Sequence, residues 1–321
     1  MRLVVLLLLS LLTAGCGSVV SIDLSPRVRP LEEETVEGSG DAKVLLMDLS
    51  GFLSDESTST LLNLTAPPAR VPLLVRVREE LKKAAADEKV KALVIRVNTP
   101  GGTVTASDVI YRELELFRRE KPIPIIAVMM DVAASGGYYV SLAADTIVAH
   151  PTTVTGSIGV IMLSLNAEGL LQKIGVTTSA FKSGERKDMG SPFRAPTEEE
   201  RKIFQSLIDG LYGQFLSRLV ESRKLPLDTA RTIADGRVYT AQQALGLKLI
   251  DQIGYMDDVL KLARQKIGVD EARVVVYHRP TDYRATYYAR AESSSGGLDV
   301  TATQLASLIG GGPRFLYLWL P

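Results

Sequence analysis

Three largely apolar runs dominate the first half of the chain, over 43–49, 90–97 and 123–129, the first holding Lys43 and Asp48 and the second broken only by Lys91 and Arg96. Each is too short for a helix and is bounded by turn-forming residues, which predicts buried strands. Residues 72–86 instead carry helical periodicity, with Pro72 suited to a first helical position. A second helix is expected from Thr103 to about Arg119. Largely continuous apolar strands, alternating with helices, predict an α/β fold with a mainly parallel sheet.

The pattern continues in shorter pieces. Residues 139–144 read as a short helix, 146–149 as a strand, 155–160 as a turn entering a strand, 167–174 as a helix and 176–181 as a strand. A loop over 182–192 follows. Thr197 with Glu200 three residues on is a capping box. It opens the longest helix, whose Ile203, Phe204, Leu207, Leu211, Phe215, Leu216 and Leu219 recur mostly at three and four. A second box, Thr240 with Gln243, starts a helix that Gly246 ends. Leu249-Ile250 and 273–277 read as strands, with a helix over 255–267 between them.

The two ends break the pattern. Residues 1–15 hold one charge, Arg2, and an apolar stretch from Leu3 to Leu12, which is too short to span a bilayer at ~20 residues and reads as a secretory signal. Leu12-Thr13-Ala14-Gly15-Cys16 resembles a bacterial lipobox, and Cys16 is the chain's only cysteine. Lipidation of Cys16 is therefore expected. Residues 16–41, with Pro26, Pro30, Glu32-Glu33-Glu34 and Gly38-Ser39-Gly40, read as a solvated tether. The folded domain is expected over 42–280. In the tail, 281–321, two glycine-rich linkers precede Phe315-Leu316-Tyr317-Leu318-Trp319-Leu320-Pro321. A stretch this apolar is expected to leave water, against its own domain, a sister subunit or a membrane, or else it is a frayed terminus.

Charge and composition narrow the function. With 37 basic and 37 acidic residues in 321, no basic face points to nucleic acid. One cysteine excludes an internal disulfide framework and a cysteine metal site, and two histidines, His150 and His278, make a poor metal set. Both histidines read as structural.

Two glycine-rich turns, 98–103 and 133–137, fall at the carboxyl ends of predicted strands, where ligands bind in such sheets. Ser135 lies in the second, between Ala133-Ala134 and Gly136-Gly137, at a strand-to-helix turn. Small neighbours let a substrate backbone approach, so Ser135 suits a nucleophile; its alternative role is a helix N-cap. Ser157, in Thr155-Gly156-Ser157-Ile158-Gly159, is a second candidate nucleophile, but it leads into a strand. Neither serine fits the Gly-x-Ser-x-Gly elbow. Residues 98–103 are no phosphate loop, since no Gly-Lys-Ser/Thr follows.

Ala133-Ala134-Ser135-Gly136-Gly137-Tyr138-Tyr139, Thr155-Gly156-Ser157-Ile158-Gly159-Val160, Lys182-Ser183-Gly184 through Lys187-Asp188, Asn98-Thr99-Pro100-Gly101-Gly102 and Asp235-Gly236-Arg237-Val238-Tyr239 together resemble the signal peptide peptidase A (protease IV) family. The resemblance spans about 43–277 in order. It implies a Clp protease/crotonase-like α/β fold of repeated strand-helix units with helical oligomerisation elements. It implies Ser135 as nucleophile, Lys187 as general base, Ser157 as the residue that orients the lysine, and the N–H groups of Gly102 and Gly136 as the oxyanion hole. It implies no cofactor or metal, apolar peptide substrates such as signal-peptide remnants, and a membrane-associated homo-oligomeric ring. This chain looks like the single-unit form, with a lipid at Cys16 where many relatives carry a transmembrane helix. The expected location is the cell envelope, with the domain outside the cytoplasm; Gly17, not aspartate, follows the cysteine and favours an outer membrane where one exists.

The chemistry sets its own condition. Any lysine used as a base must be neutral, and a lysine titrating near 10.4 must fall to about 7, roughly 4.6 kcal/mol, to be half neutral at pH 7. Burial supplies shifts of that order. An Asp188 carboxylate beside Lys187 would oppose it, so Asp188 is expected to point away. Lys182 and Lys173 are rival bases on spacing alone. A catalytically silent peptide-binding scaffold is the rival reading; a crotonase-like acyl-CoA enzyme is disfavoured by the secretory signal.

Overall fold

The computed structural model describes residues 30–55, 71–279, 286–288 and 314–320. The signal segment, Cys16 and both glycine-rich linkers of the tail lie outside the described residues. In chain order the elements are β1 (Glu32–Glu37), β2 (Lys43–Ser50), α1 (Leu73–Ala86), β3 (Val90–Thr99), β4 (Gly101–Thr103), α2 (Val104–Glu120), β5 (Ile125–Ala134), α3 (Gly136–Ser141), β6 (Thr146–Ala149), β7 (Val154–Gly156), β8 (Ile161–Leu163), α4 (Glu168–Lys173), α5 (Glu198–Arg223), α6 (Leu227–Ile233), β9 (Val238–Thr240), α7 (Ala241–Gly246), β10 (Gln252–Ile253), α8 (Met256–Ile267), β11 (Arg273–His278) and β12 (Arg314–Leu318).

The main sheet runs β1-β11-β2-β3-β5-β6-β10, and β7 also pairs with β5 and with β9. The contacts from β11 across β2, β3, β5 and β6 to β10 are parallel; β1 joins β11 antiparallel. Strand alternation divides the core in two. Leu45, Met47, Leu49, Leu93, Ile95 and Val97 face α1 and α2 through Val77, Leu81, Ile110 and Leu114. Val44, Leu46, Val94, Ile126 and Val128 face α8 through Met256, Val259, Leu260 and Ala263. The fold is thus a three-layer α/β domain with its parallel strands buried on both faces, as the apolar runs predicted. Arg96, the charge inside the 90–97 run, is buried and donates to the Asp48 carboxylate of the neighbouring strand at 2.7 Å.

Three expectations need correction. Residues 32–37, expected in a solvated tether, form edge strand β1, so the folded part begins before residue 42. Its glutamates suit an edge: Glu33 pairs with Lys43 and Glu34 lies 3.4 Å from His278, while the outward carboxylates discourage further pairing. Residues 176–181, expected as a strand, are exposed and irregular and join no ladder among the described residues. The strand expected at Leu249-Ile250 forms three residues later, as β10. Both capping boxes form as expected, at Thr197–Glu200 and Thr240–Gln243.

Candidate active site

β5 delivers Ser135 at its carboxyl end. The backbone there turns to φ 52°, ψ −111°, a conformation that costs a non-glycine residue of order 1–3 kcal/mol. Two hydrogen bonds hold it: Ser135 N–H donates to the Gly156 carbonyl at 2.7 Å, and Tyr139 N–H donates to the Ser135 carbonyl at 2.8 Å. Thr155 Oγ1 donates to the Ala133 carbonyl just upstream at 2.7 Å. Ser135 precedes α3, yet its side chain makes no capping bond. The N-cap alternative therefore fails. The hydroxyl is buried with no hydrogen-bond partner among the described residues.

Ser157 sits beside it. β5 and β7 are parallel with Ala134 opposite Gly156, so the two serines follow on adjacent strand ends. Ser157 also has positive φ, 49°, and its N–H donates to the Arg237 carbonyl at 2.7 Å. Both strained serines stand on the rim where open α/β sheets bind ligands.

The glycine turn 101–102 closes on the same point. Leu53 N–H donates to the Gly101 carbonyl and Thr103 N–H to the Leu53 carbonyl, both at 2.9 Å. Those groups face Leu53, so Gly102 turns its N–H the other way, toward Tyr317 of β12. A Cβ at Gly101, whose φ is 110°, would lie 2.8 Å from Gly136 N. The turn thus brings Gly101, the neighbour of Gly102, close to the Gly136 backbone. Gly102→Ala would drive a Cβ to 2.0 Å from the Leu53 carbonyl oxygen, which is backbone and cannot rotate away. We expect it to cost about 1–3 kcal/mol in urea unfolding and to lower turnover by roughly a hundredfold. Gly136→Ala meets the Ser107 hydroxyl at 2.4 Å, a group that can rotate, so its stability loss should be the smaller of the two.

Lys187 is not at Ser135. It lies in a turned, exposed stretch, its N–H bonded to the Gly184 carbonyl at 3.1 Å. Its neighbours form a separate clamp. Asp188 accepts from Lys182 at 2.6 Å and from Arg194 at 2.8 and 2.9 Å, and Arg194 also donates to Glu200, the capping-box acid of α5. Asp188 is thus paired with Lys182 and Arg194 and not with Lys187. Lys182 is committed to Asp188, and Lys173 ends the exposed helix α4, so neither rival reaches Ser135 in this arrangement. His150 bonds Thr152 and packs on Tyr255; His278 faces Glu34 and the Arg279 carbonyl.

Hydrogen bonds from Arg194 and Lys182 hold the Asp188 carboxyl below the usual carboxylate range, and Arg194 with the Thr197 N–H does the same for Glu200. Depressed carboxylates contribute above their unfolded values of ~3.9 and ~4.3 and lose that contribution only as pH falls through the lower folded ones. The clamp should hold from neutral to alkaline pH and loosen only in acid. Arg194→Gln should speed limited proteolysis within 182–196 at pH 8 by several-fold.

Sequence reading missed the partners of the tail. β12 lies antiparallel between β4 and β8 as the middle strand of a three-stranded sheet. Of the docking places expected for the tail, this is the chain's own domain. The apolar run 315–320 signalled docking, but not where.

The site is a strained, buried serine at a strand end of a parallel α/β domain, beside a glycine turn. Residues 117–270 match peptidase family S49. The chain is 36% identical over 250 residues to the Enterococcus faecium protein named Putative signal peptide peptidase SppA, covering 78% of this chain and 71% of that one. It is 33% identical to Serine protease SPPA, chloroplastic, of Arabidopsis thaliana, over 73% of this chain and 35% of that one. A ClpP1 mutant from Listeria monocytogenes aligns at a TM-score of 0.43 with 15% identity, over 67% of this chain and 94% of that one. The chain belongs to the signal peptide peptidase A family of S49 peptidases.

Proposed function

We propose that this chain is a lipid-anchored envelope serine endopeptidase that cuts apolar peptides, such as signal-peptide remnants, through Ser135 and Lys187. The observation that carries the reading is the Ser135 turn: a strained serine, buried, its hydroxyl unpartnered among the described residues, directly before Gly136 and the helix it opens. Ser135 Oγ attacks the peptide carbonyl carbon and its proton passes to Lys187 Nζ. The N–H groups of Gly102 and Gly136 bind the oxyanion. As the C–N bond breaks, the departing amine takes the proton from Lys187. Water then hydrolyses the acyl-enzyme, with Lys187 again accepting and returning the proton. Ser157 orients the lysine.

The reading requires Lys187 to move to a Ser135, and the segment bearing it is suited to assembly. No residue of α4 is buried, Leu170 and Ile174 are exposed, and Phe181 is 99% exposed. Apolar residues so placed favour contact with further copies of the chain. Assembly would also strip water from Lys187, as a lysine base demands. Cys16 would hold the assembly on a membrane.

The test is cleavage of an apolar signal-like peptide by the full assembled chain at mildly alkaline pH, with products identified by mass. Internal cleavage of the peptide is expected. No cleavage across a varied peptide set, with peptide still bound, would instead favour the scaffold reading.

A further inference from the structure

The Asp235-Gly236-Arg237 turn takes no part in the mechanism above, yet its backbone reaches both serines. It lies just before β9, which runs antiparallel to β7 with Gly156 opposite Val238 and Thr155 opposite Tyr239. The pairing continues one step past both strands, where Ser157 N–H donates to the Arg237 carbonyl at 2.7 Å. The carbonyl of that same peptide unit, at Gly156, accepts the Ser135 N–H, also at 2.7 Å. One peptide plane, Gly156–Ser157, is therefore held from both sides, by Arg237 on one and Ser135 on the other. Hydrogen bonds in such a series polarise one another.

Both serines need that hold. Ser135 and Ser157 carry positive φ, 52° and 49°, and such backbone persists only where its surroundings over-determine it. Gly156 leaves no slack, since a Cβ there would lie 2.6 Å from the Tyr239 ring and 3.0 Å from the Arg237 carbonyl oxygen. The turn is itself tied down from behind. The Tyr239 hydroxyl donates to the Ile233 carbonyl at 2.7 Å, and the Tyr212 hydroxyl of α5 to the Ala234 carbonyl at 2.8 Å.

Within the turn, Asp235 grips Arg237 twice. Its Oδ1 accepts the Arg237 backbone N–H at 3.2 Å, and both its oxygens accept from the guanidinium Nε at 2.8 Å. Gly236 supplies the φ of 91° that closes the turn. Hydrogen bonding from the Arg237 side chain holds the Asp235 carboxyl below its usual range, so the grip is charged at working pH. The pair adds little to stability, because its side chains are 64% and 40% exposed and exposed ion pairs contribute little. What the grip does fix is the direction of the Arg237 carbonyl.

We propose that Asp235 is a positioning residue for the peptidase: by fixing the Arg237 carbonyl it sets the Gly156–Ser157 peptide plane, and through it the approach of Ser135 to the peptide carbonyl and the aim of the Ser157 hydroxyl. The proposal rests on the peptidase reading above. Neither the Asp235 nor the Arg237 side chain has to touch substrate, so the effect falls on the rate of attack and not on peptide binding.

The test measures kcat and KM separately, with the full assembled chain and an apolar signal-like peptide. Asp235→Ala removes both grips and should lower kcat by about thirtyfold with KM within about twofold, inside the roughly hundredfold that a displacement near 1 Å can cost. Labelling of Ser135 by a fluorophosphonate should slow by the same factor. Asp235→Asn keeps an oxygen for the Arg237 N–H and should hold kcat within about threefold of wild type. Gly236→Ala meets no neighbouring residue within 4 Å and acts only through the strained φ, so its kcat should fall toward that of Asp235→Ala. The urea midpoints of both Asp235 variants should match wild type. Unchanged kcat in Asp235→Ala, equal losses in the Ala and Asn variants, or a kcat loss that tracks a lowered urea midpoint each overturns the proposal. So does a raised KM with kcat kept, which would put these side chains on the substrate. Wild type that cleaves, with Asp235→Ala its equal, sinks only this proposal; wild type that neither cleaves nor takes the label on Ser135 sinks the peptidase reading and this proposal with it.

Discussion

Ser135→Ala is expected to lower peptide cleavage by at least about 10⁴-fold, the scale of losing a nucleophile that acts as part of a unit. The loss should be chemical and not structural. The hydroxyl makes no hydrogen bond that the fold would miss, and alanine meets the same strain at φ 52° as serine does. Unfolding in urea should therefore shift by no more than about 0.5 kcal/mol. Ser157→Ala offers the contrast. Ser157 stands at the next strand end with its own backbone anchor, and its removal should cost roughly a hundredfold through a misplaced base. Turnover with a peptide substrate, set beside the urea curve of each variant, reads both.

Lys187→Ala is the second large effect. Losing the general base should cost about 10²–10⁴-fold, while Lys182→Ala should cut normally, because Arg194 alone still holds Asp188. Lys187 is exposed and apart from Ser135 in the single chain, so activity should also depend on assembly. Diluting the protein until it dissociates should lower specific activity, whereas a lysine that acted within an isolated chain would give activity independent of concentration. Mixing Ser135→Ala with Lys187→Ala tells whose lysine serves: recovered activity means that a neighbour supplies it, and none means that each chain serves itself.

Much of this was legible in the chain because the central strands are apolar on both faces. β2, β3 and β5 were readable from their runs alone, and so was the placing of both glycine turns at strand ends. β1 was misread because its glutamates look like a solvated linker; an edge strand tolerates that composition, and only the pairing with β11 shows it. The reverse error fell at 176–181, where β-forming residues join no ladder among the described residues. Ser135 was visible as a serine among small residues, but its strain and its unused capping position were not. The tail shows the limit most clearly. Its hydrophobicity announced burial, yet choosing the slot between β4 and β8 depends on two strands distant in sequence meeting at one groove. Lys187 was named by its motif; where its amine travels depends on contacts that one sequence does not encode locally.

The most direct test of the Ser135–Lys187 mechanism is to react the assembled protein with a fluorophosphonate and locate the adduct by peptide mass mapping, in wild type and in Lys187→Ala. An adduct on Ser135 that forms far more slowly without Lys187 is the expected result. An adduct on Ser157, or equal labelling of Ser135 in both proteins, would contradict it.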